Sequence, residues 1–191
     1  PIEETLVALD QLVKDNKVMH IGASSMYTWQ FAKSLWISNE LDLQRFETMT
    51  NFYNLCYREE EREMIPFCKD QNISVLPYSP VAKGFLTGKY TRNEKNDTIR
   101  FKTDPRLAER FFKPEDFDVL EIVIQISNEK GVKPAQIALA WLLEKNTAPI
   151  IGVTKKSHVE DAVESLNIKL TSNDMKQLEE PYKMHPTTGY E

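Results

Sequence analysis

The sequence predicts an α/β protein in which short parallel strands are covered by helices. Four short apolar segments, near residues 18, 47, 73 and 148, alternate with segments long enough to form helices. The segment Ile73 to Leu76 is almost entirely apolar, as expected for a strand that is covered on both faces. Because helices separate the strands, we expect the strands to run parallel in one sheet.

The first third of the chain is predicted to form a helix, a strand and a second helix. From Ile2 to Asn16, apolar residues recur at three- and four-residue steps, and acidic residues occupy the first turn. Lys17 to Ala23 is predicted to be a strand that ends at Ser24-Ser25, and Tyr27 to Ile37 is predicted to be the second helix.

The middle of the chain leads to a tyrosine at the end of a strand. Phe46 to Phe52 is predicted to be a strand and Tyr57 to Asp70 a helix, followed by the strand Ile73 to Leu76. Pro77 and Pro80 lack backbone donors and interrupt strand pairing around Tyr78. In parallel α/β folds, ligands bind at the carboxyl ends of strands, so Tyr78 is a candidate binding residue. The alternative is a tyrosine in an ordinary connecting loop.

The segment from Lys89 to Lys113 interrupts the alternation. It is polar, shows little apolar periodicity and is long for a connection, so we expect a surface loop or lid. Five elements are predicted beyond it: helices at Asp116 to Lys130 and Pro134 to Glu144, a short buried strand at Ala148 to Val153 followed by a helix to about Leu166, and a helix at Ser172 to Glu180.

Composition narrows the range of functions. The chain has 191 residues, 41% of them hydrophobic and 28% charged, which predicts a single soluble domain. A net charge of −5 disfavours nucleic-acid and anionic-membrane partners. An acidic, helical N-terminal segment and the lack of a long apolar run lead us to expect a cytoplasmic location.

The reactive residue types show no pattern of a metal or hydrolytic site. Cys56 and Cys68 lie twelve residues apart without metal-ligand spacing, so we expect reduced thiols and no metal site. The run Glu59-Glu60-Glu61 is flanked by arginines and is interpreted as a solvated helix face rather than a catalytic carboxylate pair.

Two architectures share the alternation of strands and helices. A dinucleotide-binding sheet needs a GxGxxG turn after a strand, and the sequence has neither that motif nor a GxxxxGK phosphate loop. A (β/α)8 barrel is therefore favoured, but it typically needs about 250 residues. Four βα units make only half of one, so the chain is either incomplete or an open half-barrel with exposed edges.

Five motifs occur in the order found in one enzyme family. They are IGASS (21–25), FYNL (52–55), PYSPVAKGFLTGKY (77–90), PAQIALAWLL (134–143) and PIIGVTK (149–155). On these motifs the chain resembles the aldo-keto reductases over nearly its whole length, and in particular the fungal aryl-alcohol-dehydrogenase-like members. The resemblance implies a (β/α)8 barrel of which this chain is about the C-terminal half. It also implies NADPH-dependent reduction of aldehydes and ketones.

The resemblance places no catalytic residue in this chain. The family uses a tyrosine general acid, assisted by lysine, aspartate and histidine, and all four belong to the N-terminal half of the barrel. Two positions depart from the family pattern within the matched half. Ser25 stands where the family commonly has asparagine, and Thr50 stands where it commonly has a glutamine that contacts the nicotinamide carboxamide.

The resemblance does imply residues that bind NADPH or NADP. Ser24 and Ser25 would hydrogen-bond the carboxamide, although both are equally suited to cap a helix, and Tyr78 would stack on the nicotinamide ring. The loop beneath the pyrophosphate corresponds to Ser79, Val81, Lys83, Gly84 and Leu86. The adenosine end corresponds to Gly152, Thr154, Lys155 and His158, of which His158 stands where arginine is frequent.

Two functions of different classes remain open. In the first, the chain is the cofactor-binding part of an NADPH-dependent reductase that acts on a small carbonyl or alcohol substrate together with an N-terminal half. In the second, it is a non-catalytic half-barrel or a reductase-like interaction subunit. In both, the open barrel edges lead us to expect either pairing with an N-terminal half or self-association.

Overall fold

The computed structural model describes residues 1–92, 99–104, 107 and 110–186. These residues form two compact units, which are described separately below. The first consists mainly of Pro1–Phe52 and Glu59–Leu76, and the second of Tyr53–Arg58 and Pro77–His185. The expectation of a single domain stays a prediction.

The first unit is a small parallel sheet with helices on one face. Its elements are α1 (Ile2–Lys14), β1 (Ile21–Ser24), α2 (Thr28–Glu40), β2 (Phe46–Thr50), α3 (Met64–Asp70) and β3 (Ser74–Val75). The strands lie in the order β1-β2-β3, and both pairings are parallel. The predicted parallel sheet is therefore confirmed for these three strands.

The core of the first unit lies on the helical face of the sheet. Ile21 and Ala23 of β1 and Met49 of β2 are buried there against Leu6 of α1 and Phe31 of α2. On the opposite face, Gly22, Ser24 and Ser74 are exposed. The expectation that the strand at Ile73 to Leu76 is covered on both faces is therefore wrong, because the described residues pack only on the helical face and leave Ser74 exposed.

A bulge in the sheet explains a glycine of the IGASS motif. The register between β1 and β2 shifts between Ile21 and Gly22, so that Gly22 pairs with Thr48. A Cβ atom at Gly22 would lie 2.1 Å from Thr48 Oγ1. This position therefore accepts only glycine without movement of the Thr48 side chain.

Two predicted boundaries in the first unit are wrong. The first strand begins at Ile21 instead of Lys17, because the N–H groups of Lys17 and Val18 donate back to Leu12 O at the end of α1. The helix predicted from Tyr57 begins only at Met64.

The glutamate run is not a fully solvated helix face either. Glu59–Glu61 forms a 3-10 turn. Within it, Glu60 is buried and accepts a hydrogen bond from Asn51 Nδ2 at 3.0 Å. The middle carboxylate is therefore held inside the first unit, which a run of three adjacent charges does not indicate.

The second unit is mainly helical. Its helices are α4 (Ile99–Thr103), α5 (Pro114–Lys130), α6 (Pro134–Glu144), α7 (Lys156–Ser165) and α8 (Ser172–Glu179). Helix α6 has the predicted bounds, and its Trp141 is fully buried and packs on Tyr53 at a ring-centroid distance of 5.2 Å. Glu179 of α8 accepts hydrogen bonds from Trp141 Nε1 and from Arg58, which joins the segment Tyr53–Arg58 to both helices.

The predicted fourth strand is wrong. Within the described residues, Ala148 to Val153 contributes only one bridge, in which Ile150 pairs in parallel with Tyr78. The segment was expected to be buried, yet Ile150, Ile151 and Val153 are exposed. Strand pairing stops because the partner segment leaves the extended conformation directly after Tyr78, where Ser79 has a φ of 55°.

The segment Lys89 to Lys113 contains more structure than a polar loop. It includes α4, and Leu107 and Phe111 are buried. Phe111 stacks on Phe85, with ring centroids 6.0 Å apart. Residues 93–98, 105–106 and 108–109 of the predicted loop lie outside the described residues, and its function as a lid stays a prediction.

Candidate functional site

Ser24 and Ser25 lie at the carboxyl end of β1 in the first unit. Ser24 Oγ donates to Thr50 O at 3.2 Å, and Ser25 N donates to the same oxygen at 3.1 Å. The helix-cap alternative is wrong, because α2 begins after Tyr27, whose N–H donates to the Gln30 side chain at 3.1 Å. The Ser24 hydroxyl oxygen retains its lone pairs and is exposed, so it can accept a hydrogen bond from an amide.

Tyr78 lies beside Ile150 in the second unit. Pro77 O accepts the N–H of Ile150 at 2.8 Å, which places the two chain segments side by side and parallel. The loop that begins at Ser79 and the segment that begins at Gly152 therefore follow two paired residues and start at the same edge of the second unit. Tyr78 is partly exposed, as a ring that stacks on a ligand must be.

The loop after Tyr78 has an unusual backbone. Ser79, Ala82, Lys83 and Gly84 all have positive φ angles, of 55°, 49°, 55° and 96°. A left-handed conformation costs a non-glycine residue about 1 kcal/mol or more, and such residues cluster at functional sites. Several amides bond within the loop itself, with Ala82 N donating to Ser79 O and Gly84 N to Val81 O. A Cβ at Gly84 would meet nothing within 4 Å, so a ligand has room to approach the backbone there.

Asn54 holds this loop in place. Its Nδ2 donates to Ser79 O at 3.2 Å, while its Oδ1 accepts the N–H of Cys56 at 3.0 Å. Its backbone also pairs with Tyr57 across a tight turn. Asn54 belongs to the FYNL motif, but sequence reasoning did not assign it this role. An asparagine that opens a turn was the available signal.

Lys83 is paired with an acidic residue. Its Nζ lies 2.7 Å from Asp104 Oδ2, and both side chains are mostly buried. The charge that the resemblance assigns to a pyrophosphate is therefore already neutralised within the chain. The pairing joins residues 21 positions apart, and no sequence pattern indicates it. Leu86 is fully buried, backbone included, so it is not open to a ligand in this conformation.

The Gly152 to His158 segment leads into helix α7. Lys155 precedes the first residue of α7, and residues 152–157 are exposed. Thr154 N donates to His158 Nδ1 at 3.4 Å, so the histidine ring covers one amide of this turn. Lys156 lies 3.4 Å from Glu160 and is 91% exposed, as expected for a solvated lysine. A helix N-terminus beside Lys155 attracts a phosphate group.

One cavity in the first unit does not coincide with the predicted positions. It measures about 170 Å³, and its charged lining residues are three glutamates, 59, 60 and 63, and a single arginine, Arg62, which pairs with Glu59. Carboxylates repel an anionic dinucleotide, so this cavity is a poor cofactor site. In the part of the chain that the structure describes, no three histidine, cysteine, aspartate or glutamate residues form a metal site. None of the described helices combines the length and apolar composition needed to cross a membrane.

Comparison with known proteins agrees with these motifs. The sequence profile of the Aldo/keto reductase family matches residues 1–183. The chain is 39% identical to a Schizosaccharomyces pombe protein named "Putative aryl-alcohol dehydrogenase C750.01", over 98% of this chain and 57% of that protein. It is 37% identical to the versiconal hemiacetal acetate reductase of Aspergillus parasiticus, over 97% of this chain and 55% of that enzyme. It is also 34% identical to an Alternaria alternata aldo-keto reductase, AMT2, over 100% and 51% of the two chains.

The chain thus spans about half the length of the curated relatives that it matches. The match runs through both structural units and includes all five motifs. By this profile match and these identities, the chain belongs to the aldo/keto reductase family.

Proposed function

We propose that this chain is the C-terminal, cofactor-binding part of an NADPH-dependent aldo-keto reductase that converts aldehydes or ketones to alcohols. Membership of the family supports an oxidoreductase. The name of the Schizosaccharomyces pombe relative, an aryl-alcohol dehydrogenase, supports aromatic alcohols and aldehydes as the substrate class. NADPH supplies hydride when bound, and the residues of this chain hold and orient it.

The observation that carries the proposal is the pairing of Pro77 O with Ile150 N. It brings together, at one edge of the second unit, the two segments that the family resemblance assigns to the pyrophosphate and the adenosine phosphate. The first segment has a glycine with open space above it, and the second is an exposed helix N-terminus beside a lysine. Both features suit an anionic dinucleotide.

Each proposed contact uses an available chemical group. Tyr78 stacks on the nicotinamide and leaves its other face to the substrate. Lys155 binds the 2′-phosphate as a point charge at the start of α7. Lys83 contributes less than its charge indicates, because Asp104 neutralises it.

Charge reversal at Lys155 tests the nucleotide preference. Lys155→Glu places a negative charge near the proposed 2′-phosphate, and we expect NADPH binding to weaken by about 1–3 kcal/mol. NADH lacks that phosphate, so its binding is expected to change little. Fluorescence titration of both nucleotides measures the difference, with Lys169→Glu as a control of equal charge change. Equal NADPH affinity in the wild type and Lys155→Glu would remove Lys155 from the site.

The second candidate is a non-catalytic half-barrel. It is favoured by the sequence itself, because no residue here matches the catalytic tetrad of the family, whose proton donor belongs to the N-terminal half. We expect the purified chain to bind NADPH without oxidising it in the presence of an aromatic aldehyde. Turnover by the chain alone would show that it carries its own proton donor and would contradict this assignment.

A further inference from the structure

Helix α2 presents two tryptophan side chains to solvent. Trp29 and Trp36 are 64% and 61% exposed. They lie seven residues apart, close to two helical turns, so both project from the same face of the helix. Single apolar residues are ordinary on a protein surface, whereas large aromatic residues that share one exposed face are typical of protein–protein interfaces.

The other faces of α2 are packed within the first unit. Phe31 and Leu35 are buried in its core. Helix α1 packs against α2, and Phe67 of α3 contacts Phe31, with ring centroids 5.9 Å apart. The helices that precede and follow α2 in the chain are therefore already in place, and the described residues leave the face that carries Trp36 uncovered.

Two opposite charges flank Trp36 on this face. Lys33 precedes it by three residues and Glu40 follows it by four, and both are exposed. The two charges are separated by about 10 Å of helix, so their side chains are not neighbours on one helix. Neither has an ion-pair partner among the described residues. The surface formed by Lys33, Trp36 and Glu40 is named here the Trp36 face.

Glu40 also lies at the unfavourable end of α2 for a carboxylate. It is the last residue of the helix, where the helix dipole is negative, and the last turn contains no basic residue. A cation supplied by a second molecule would therefore stabilise this end of the helix.

We infer that the Trp36 face is a homodimer interface in which α2 packs antiparallel to the partner's α2 about a twofold axis at Trp36. Trp36 stacks on the partner's Trp36, and Lys33 of each copy lies opposite the partner's Glu40. This pairing follows from the spacing, because Lys33 and Glu40 lie almost equally far from Trp36 in opposite directions along the helix. The inference is independent of the proposed function, since no residue of the Trp36 face is assigned to the cofactor.

Charge complementarity selects a second copy of the chain as the occupant. A twofold interface pairs one surface with itself, so that residue i contacts residue j and j contacts i. Antiparallel packing turns the two unpaired charges of each copy into two ion pairs in the dimer, and it brings each Lys33 to the carboxyl end of the partner's helix. An acidic or a basic segment of another protein would pair only one of the two charges.

Sedimentation velocity of the 191-residue chain over a range of concentrations tests the interface. A single helix pair is a small interface, so we expect a reversible, concentration-dependent dimer. Trp36→Ala should weaken dimerisation by about tenfold or more, since it removes the aromatic residue at the axis. The control is Lys69→Glu, a charge reversal at an exposed lysine of α3, which should change the dissociation constant by less than about twofold.

Charge exchange tests the pairing itself. Lys33→Glu and Glu40→Lys each place like charges opposite each other, so each variant alone should dimerise more weakly than the wild type. The chain that carries both changes should regain dimerisation. An equimolar mixture of the two single variants should form a heterodimer, because every pair across the axis then has opposite charges.

Four outcomes would overturn the inference. They are a chain that stays monomeric up to about 1 mM, a dimer that tolerates Trp36→Ala, charge variants that dimerise like the wild type or stay apart in the mixture, and binding of the Trp36 face to phosphatidylcholine vesicles in place of a dimer. Far-UV circular dichroism establishes that each variant is folded. NADPH binding by Trp36→Ala should match that of the wild type, and a failure of both chains to bind NADPH defeats only the proposed function.

Discussion

Replacement of Glu179 should weaken the second unit through three contacts at once. Its carboxylate accepts hydrogen bonds from Arg58 Nη2 at 3.1 Å, Lys145 Nζ at 2.7 Å and Trp141 Nε1 at 2.9 Å. The Trp141 side chain is fully buried, and that of Arg58 is only 12% exposed. Glu179→Ala therefore leaves a buried indole N–H without its acceptor and a largely buried guanidinium without its carboxylate.

The expected loss follows from these contacts. An orphaned buried donor costs about 1–3 kcal/mol. A broken ion pair costs about 3–5 kcal/mol when fully buried and less than about 1 kcal/mol at the surface. Because Glu179 is one-quarter exposed and Arg58 keeps its bond to Glu179 O, we expect a total near 3 kcal/mol for Glu179→Ala. Glu179→Gln keeps an acceptor for Trp141 and should cost about 1 kcal/mol.

Urea unfolding followed by circular dichroism and tryptophan fluorescence measures these free energies. Glu180→Ala is the matched control, since Glu180 is the exposed neighbour of Glu179 and should change stability by less than about 0.5 kcal/mol. If Glu179→Ala behaves like Glu180→Ala at an unchanged urea dependence, the network does not stabilise the fold and the reasoning is refuted.

Three further predictions follow from single sites. Gly22→Ala should lower the free energy of unfolding by about 1–3 kcal/mol, because the new Cβ would meet Thr48 Oγ1. Adding Thr48→Ala in the same chain should restore much of this free energy. If urea unfolding shows no such restoration, the contact is contradicted. Burial, with Glu60 as a second cause, raises the pKa of Cys68 to about 12, so a thiol reagent at pH 8 should label it only after unfolding, and rapid native labelling would count against this burial. Burial raises the pKa of the Asp174 carboxyl, but hydrogen bonds from Lys130 and Thr171 outweigh it and hold the pKa below its usual value. Asp174 thus contributes stability that is present above roughly pH 4 and lost as pH falls further. In Asp174→Asn, the urea midpoint should therefore depend less on pH in this range.

The elements predicted best are those whose signals are local. Helix α6 has the predicted bounds because Pro134 suits its first turn and an apolar run follows. The third strand was found, but it is shorter than predicted. The fourth strand failed because its partner segment leaves the extended conformation at Ser79, and an apolar run does not reveal where its partner ends. Tyr57 failed as a helix start because it pairs with Asn54 across a turn.

In the candidate site too, local motifs were predictable and long-range contacts were not. Family motifs marked Tyr78 and the Ser79 to Leu86 loop, and their roles as cofactor contacts stay predictions. No motif predicted that Asp104 would neutralise Lys83 or that Asn54 would hold Ser79. These contacts join residues more than twenty positions apart, and each depends on side-chain directions that only the folded chain establishes.

The sequence by itself determined the family, the parallel α/β class and the segments that turn at prolines and glycines. Local backbone preferences and hydrophobic periodicity act over a few residues, so they can be read directly along the chain. The tertiary structure alone decided which apolar residues are covered. Ile150 and Val163 are as apolar as Ile21 and Val75, yet the former are exposed and the latter buried. Burial depends on which neighbour a fold brings to each face, and that is a property of long-range packing rather than of any local pattern.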